Sequence, residues 1–347
     1  MKIFIISTIG RTAVEMGGFC ANGFKKLGHQ PRRLIYHDRR LSARMPAFLP
    51  FERAVCGLWC MLRIALARPD FILVIKGDSI PAGLYRTIRR RMRIPLVNYW
   101  IDDPHSIEVS RTVSPHFDAF FTNDPDSVEA HRKAGCPHPA FLSFGYDAGI
   151  HRRVRVSEEE RRFYGSDVCF AATVTQNRYE VLRHLGGFDV KIWSKPVVQK
   201  GRNYRFSFEP VPADSPIYGK FTGKSLWADE LAKAYASSKI ILNIHVHAVP
   251  TMREFEVTGS GAFLLTDPAA WLDTMFVPGK EIVVFNGIDE CKRLIGYYLS
   301  HPGDRAAIAE NGHRRTLERY SYTQRMEQMI SGLHSAGVLQ AAGNAHP

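Results

Sequence analysis

Short, wholly apolar runs alternate with longer segments carrying apolar residues at helical spacing along the whole chain. Residues 2–9 read as a first strand. A loop with Gly10, Gly17 and Gly18 then leads to a helix over 19–27 that Gly28 closes. A strand over 33–36, an apolar helix over 51–67, a strand over 71–75 and a basic helix over 80–93 follow. Strands over 96–100, 117–122 and 140–144 and a helix over 125–134 complete this half. Residues 146–166 are polar and charged and mark a domain boundary. Beyond it the same rhythm resumes, with strands over 168–172, 190–193, 240–246, 262–266 and 281–285. Helices are predicted over 178–185, 228–237, 289–300, 304–320 and 322–333, a Pro-rich irregular stretch over 196–215, and a frayed tail from 335. Continuous apolar strands separated by helices build parallel sheets covered on both faces. The expected fold is therefore α/β, two doubly wound domains facing across a cleft. Right-handed crossovers place the ligand-binding loops at the C-terminal ends of the strands.

Length and composition agree with this. At 347 residues, two domains are expected, and 45% hydrophobic residues suffice for ordinary cores. No apolar run has membrane-spanning length, and MKIFIISTIG is too short and interrupted for a secretory signal. Six scattered cysteines do not resemble a disulfide framework. Cys56 and Cys60 share a helical face, but no second Cys/His pair has zinc spacing, so packing is the expected role and no metal site is assigned. A reducing cytoplasm fits. The net charge of +12 draws on Arg32, Arg33, Arg39, Arg40, Arg44 and a second cluster from Arg86 to Arg93. Nucleic acid is the weakest partner for it, since no binding motif with interleaved aromatics accompanies the arginines. Peripheral contact with an anionic membrane at the inner face and a plain solvated helix face remain as alternatives.

The candidate chemistry gathers at loops after strands. Thr251 can cap a short helix, with Glu254 at capping-box spacing, and a helix start after a strand is an anion site. Glu256, about a turn inside, can accept two hydroxyls of a ribose; the competing reading is a salt bridge with Arg253 at i, i+3. Arg253 can give a diphosphate two parallel hydrogen bonds, or pair with Glu254 or Glu256. Period-2 alternation puts Asn243, His245 and His247 on one strand face, where they bond a ligand or are buried and satisfied. Thr173 and Arg178 flank the first strand–helix turn of the second domain. Arg178 opposes the helix dipole there, which points to an anionic partner; a plain surface arginine is the alternative.

In the first half, Asp102 and Asp103 follow an apolar strand and precede Pro104. One is either a helix cap or a general base. Asp103 is the natural cap, Asp102 the better base, and His105 an alternative base. Lys76-Gly77-Asp78 ends another strand, and Gly10 allows close approach to the backbone; both are candidate acceptor contacts or simple turns.

The segments "KIILNIHVH", "TMREFEVTGSGAFLLTD", "VNYWIDDPH" and "VCFAATVTQNRYEVLRHL" together resemble GT-B glycosyltransferases of the CgeB-like, spore-maturation-protein-like branch. The resemblance is densest over 235–330. It implies two Rossmann-like domains, an N-terminal acceptor domain over 1–150 and a donor domain over 164–320, with a last helix over 321–334 that can cross back. It also implies a metal-independent hexosyltransferase that moves sugar from a UDP-, GDP- or dTDP-sugar to a hydroxyl of a glycan, glycolipid or protein in cell-surface glycan synthesis. No cofactor beyond that donor is implied. Glu256 matches the second glutamate of a Glu-x7-Glu pattern, the ribose-binding one, whereas the first position is Ala248. A nucleotide-sugar epimerase of the same architecture and a non-catalytic nucleotide-binding scaffold are the alternatives.

Overall fold

A computed structural model describes residues 1–37, 45–202, 205–247 and 249–340; Arg39, Arg40, Arg44 and Ala248 lie outside them. The chain divides into two compact units. Unit 1 is Met1–Ser143 and resumes at Tyr322, and unit 2 is Phe144–Ser321.

Unit 1 runs β1 (Lys2–Thr8), α1 (Arg11–Lys26), β2 (Gln30–Tyr36), α2 (Leu49–Ala67), β3 (Phe71–Ile75), α3 (Ala82–Met92), β4 (Leu96–Trp100), α4 (Ile107–Val113), β5 (Ala119–Thr122), α5 (Ser127–Lys133) and β6 (Pro139–Phe141). The sheet order is β2-β1-β3-β4-β5-β6, with every neighbour parallel. The runs FILVI and LVNYW are buried at every position, as a sheet covered on both faces requires.

α1 starts eight residues earlier than the pattern predicts and contains both Gly17 and Gly18. Gly17 is a packing residue here, since a Cβ on it would lie 2.2 Å from Ser7 Oγ of β1. On another side of α1, a Cβ on Gly23 would lie 2.6 Å from the carbonyl oxygen of Tyr322. That contact belongs to the helix with which the chain re-enters unit 1, and Phe19 stacks on Tyr322 at 5.2 Å. Gly23→Ala is expected to destabilise the protein by about 1–3 kcal/mol, because backbone must move to admit the methyl. Chemical denaturation tests this, and an unchanged unfolding midpoint would refute the packing role.

Unit 2 runs α6 (Glu158–Tyr164), β7 (Val168–Phe170), α7 (Gln176–Leu182), β8 (Val190–Ile192), β9 (Val197–Arg202), β10 (Arg205–Pro210), α8 (Ala228–Ser237), β11 (Ile240–Asn243), α9 (Met252–Gly259), β12 (Leu264–Thr266), α10 (Leu272–Met275), β13 (Val283–Val284), α11 (Ile288–Ser300) and α12 (Pro302–Arg319). The returning helix is α13 (Tyr322–Ser335). A parallel sheet of order β13-β12-β11-β7-β8 carries the core. Two segments differ from expectation. The polar stretch holds α6, started by a capping box in which Ser157 and Glu160 serve each other's backbone. The Pro-rich stretch holds the antiparallel hairpin β9–β10, where Phe206 and Phe208 alternate with polar residues and are exposed.

No helix among the described residues is long and apolar enough to cross a membrane.

Candidate functional site

In unit 1, the loops after β1, β3 and β4 enclose a cavity of about 140 Å3, lined among others by Thr8, Gly10, Lys76, Asp78, Ser79 and Asp102. Three residues singled out from sequence thus converge. Lys76 Nζ lies 2.6 Å from Asp102 Oδ2, and both side chains keep some solvent access. Lys76 has φ 66 and Gly77 φ 96, both left-handed. A lysine there costs about 1–2 kcal/mol, so the surroundings must hold it. They do so at three points. Tyr99 O accepts from Lys76 N at 2.9 Å, Asn98 Nδ2 donates to Lys76 O at 2.8 Å, and Tyr85 Oη donates to Gly77 O at 2.8 Å. Gly10 stands at the start of α1 with nothing within 4 Å of where a Cβ would be, so a ligand can approach its backbone.

Asp103 is neither base nor helix cap. It is buried and accepts from Ser110 Oγ at 2.7 Å and Thr122 Oγ1 at 2.9 Å, with His131 Nε2 at 2.8 Å. The next helix begins only at Ile107, with Ser106 before it, so Asp103 lies too far upstream to cap it. Its carboxylate ties β4, α4, β5 and α5 together. His105 is half-buried in the intervening turn.

In unit 2, Thr251 caps α9 as the spacing predicts. Thr251 Oγ1 accepts from Arg253 N at 3.2 Å, and Glu254 Oε2 accepts from Thr251 N at 2.8 Å. The other Glu254 oxygen goes further than a cap. It meets His245 Nε2 at 2.6 Å and accepts from Asn243 Nδ2 at 2.8 Å. His245 Nδ1 lies 2.6 Å from Asp267 Oδ1, so both ring nitrogens face carboxylates and both donate. Burial alone would lower the His245 pKa, but Glu254 and Asp267 outweigh it and raise it from 6.5 to about 9. Of the two readings for Asn243 and His245, the structure has the buried one in place of ligand contact: they are buried braces between β11, β12 and α9. The reason is that the carboxylates of Glu254 and Asp267 meet these side chains first.

Arg178 is corrected likewise. It is buried, donating from Nε to Ile244 O at 2.7 Å and from Nη1 to Thr173 O at 2.8 Å. Burial, then the charge of Arg253, pulls it down to about 10. Two of its donors satisfy loop carbonyls. Thr173 is exposed on that loop.

Glu256 and Arg253 pair at 2.9 Å, and Arg253 Nη1 also contacts Tyr235 Oη. The second Glu256 oxygen lies 3.8 Å from His151 Nε2. His151 Nδ1 accepts from Asp147 N at 3.0 Å, so the proton sits on Nε2, toward Glu256. Burial holds the His151 pKa below its ordinary value despite Glu256 and Asp147. Glu256 Oε2 is thus taken, while Oε1 has a donor only at long range. Sequence reasoning placed His151 in a linker and missed it, because nothing local marks a histidine reached across more than a hundred residues. Among the described residues, no group of three His, Cys, Asp or Glu side chains is arranged to hold a metal ion.

Residues 176–331 match the family described as "Glycosyl transferase-like". Over 97% of this chain and 99% of the other, the structure aligns with sucrose-phosphate synthase from Thermosynechococcus elongatus at TM-score 0.65 and 10% identity. Anabaena HepE, crystallised with UDP and glucose, aligns over 96% of this chain and 100% of its own at TM-score 0.64 and 13% identity. The fold is that of these proteins, and the matched segment is glycosyltransferase-like, which supports transfer over the epimerase and scaffold alternatives. The chain is also similar to a spore protein over most of its length. Spore protein CgeB of Bacillus subtilis (strain 168) is 21% identical over 291 residues, covering 80% of this chain and 86% of CgeB.

Proposed function

We propose that unit 2 binds the nucleoside diphosphate of a UDP-, GDP- or dTDP-sugar, and that unit 1 receives the acceptor hydroxyl. The observation that carries this reading is the place of Glu256, just past the capped start of α9 and inside the matched domain. Its Oε1 and the adjacent His151 offer an acceptor and a donor to a ribose diol. The positive end of α9 and Arg253 stabilise charge on the leaving diphosphate, in place of a divalent cation.

In unit 1, Asp102 takes the proton of the attacking hydroxyl, and Lys76 at 2.6 Å fixes the orientation of its carboxylate. Gly10 leaves room for the acceptor beside the backbone. Two measurements test this. UDP, GDP or dTDP is expected to raise the unfolding temperature. Asp102→Asn is expected to lower turnover about 10²–10⁴-fold while leaving that rise intact. Indifference to all three nucleotides would sink the donor assignment, and full turnover in Asp102→Asn would sink the base assignment.

A further inference from the structure

One face of α2 carries Phe51, Val55, Leu58, Trp59, Leu62 and Leu66, all exposed, with Leu58 at 71% and Leu66 at 69%. At 100° per residue these positions, with Ala54 and Ala65, form an uninterrupted apolar arc of roughly 140° along roughly 22 Å of helix. The opposite face holds α2 to unit 1 through the buried Cys60, Ile64 and Ala67. The helix is therefore apolar on both sides, although only one side meets the core. A contiguous exposed patch of this kind marks an interaction surface.

The charges beside it say which. Residues 45–93 carry nine basic side chains against three acidic ones. The only acidic residue of α2, Glu52, is buried, and α3 has none. α3 is the neighbour of α2, with Leu84 3.8 Å from the Cβ position of Gly57, and it exposes Arg86, Arg90 and Arg91, followed by Arg93. At the margin of the arc, the Arg63 guanidinium lies over the Trp59 ring at 5.5 Å. An apolar stripe bordered by an indole and arginines, with no exposed carboxylate on either helix, is the pattern of a helix lying in a lipid interface: rings and aliphatic chains enter the acyl boundary while guanidinium groups stay at headgroup phosphates. A second copy of this chain fits worse, because an interface of like patches sets arginines against arginines.

We propose that α2 is an interfacial helix that docks unit 1 on a bilayer containing anionic lipid, with the arginines of α3 as its electrostatic flank. The proposal does not depend on sugar transfer, and its test uses no nucleotide. The full chain is floated with phosphatidylcholine vesicles, with or without about 30 mol% phosphatidylglycerol. Binding is expected with the anionic vesicles, falling about tenfold or more in the Leu58→Glu/Leu62→Glu variant and without phosphatidylglycerol. These positions are exposed, so circular dichroism of the variant should match the wild type. Arg90→Glu/Arg91→Glu, a second variant outside the apolar arc, is expected to weaken binding and its salt dependence together. The proposal is overturned by no flotation with anionic vesicles, by equal flotation of the Leu58→Glu/Leu62→Glu variant, or by equal binding to both compositions. A wild-type dimer that this variant dissociates, with vesicles ignored, would assign the face to a second copy and overturn it as well.

Discussion

Glu256→Ala is expected to abolish the thermal stabilisation by nucleoside diphosphate and to reduce sugar transfer about 10²–10⁴-fold. The magnitude follows from two hydrogen bonds to a charged acceptor, each contributing about 1.5–3 kcal/mol, where every 1.4 kcal/mol is tenfold. The variant must be read with care, because Glu256 also holds Arg253 at 2.9 Å and faces His151. Removing it leaves the largely buried Arg253 guanidinium with Tyr235 alone on Nη1, so the unliganded protein should lose stability too. The ligand-dependent increment separates the roles. At a hundredfold excess over Kd, a bound nucleotide adds about 2.7 kcal/mol to the wild type. That increment should vanish in Glu256→Ala, whatever happens to the baseline. A lower baseline with the increment preserved would make Glu256 an internal anchor and defeat the ribose assignment.

What could be read from the sequence was whatever local chemistry dictates. FILVI, LVNYW and the runs around 168 and 240 announce buried parallel strands without ambiguity. The capping box at Thr251 is likewise complete within four residues, and the structure has it. Gly10, Lys76 and Asp102 were legible for a related reason: each directly follows a strand, and parallel topology brings strand C-terminal ends together. The failures all involve partners distant in sequence. Gly17 looks like part of a loop until β1 is known to lie against it, where a Cβ would collide with Ser7. Asp103 looks like a cap until Thr122 and His131 are seen to share its carboxylate. Arg178 looks like a phosphate ligand until the carbonyl of Ile244 occupies it. In each case a side chain suited to a ligand meets an internal demand first, since a buried polar group left without a partner costs about 1–3 kcal/mol.

His245 is the extreme of that rule, and its replacement is expected to have the second large effect. The imidazolium sits between Glu254 and Asp267 at 2.6 Å from each, with 1% of its side chain exposed. His245→Ala would leave two carboxylates facing an empty site where a cation stood, which costs about 3–5 kcal/mol in a buried pair. The pH dependence gives a signature that a cavity alone would not. Since the folded pKa is raised from 6.5 to about 9, the contribution is complete below 6.5 and is lost as pH rises through about 9. Two and a half pKa units correspond to about 3 kcal/mol. Glu254 has the opposite sign: its pKa is held below the ordinary 4.5, so its contribution is lost only as acid protonates the folded carboxylate. Stability should therefore be flat from about pH 5 to 6.5 and fall through the alkaline range. Urea unfolding of wild type and His245→Gln over that span isolates the effect, because lysines and tyrosines titrate in both proteins and cancel in the difference. The gap between them should be widest at about pH 5 to 6.5 and close by about pH 10. A gap that stays constant with pH would show that the ring acts by packing and not as a cation. Because the same ion pair fixes the start of α9, nucleotide affinity should weaken together with the alkaline loss of stability, tying the donor site to a brace that itself touches no donor.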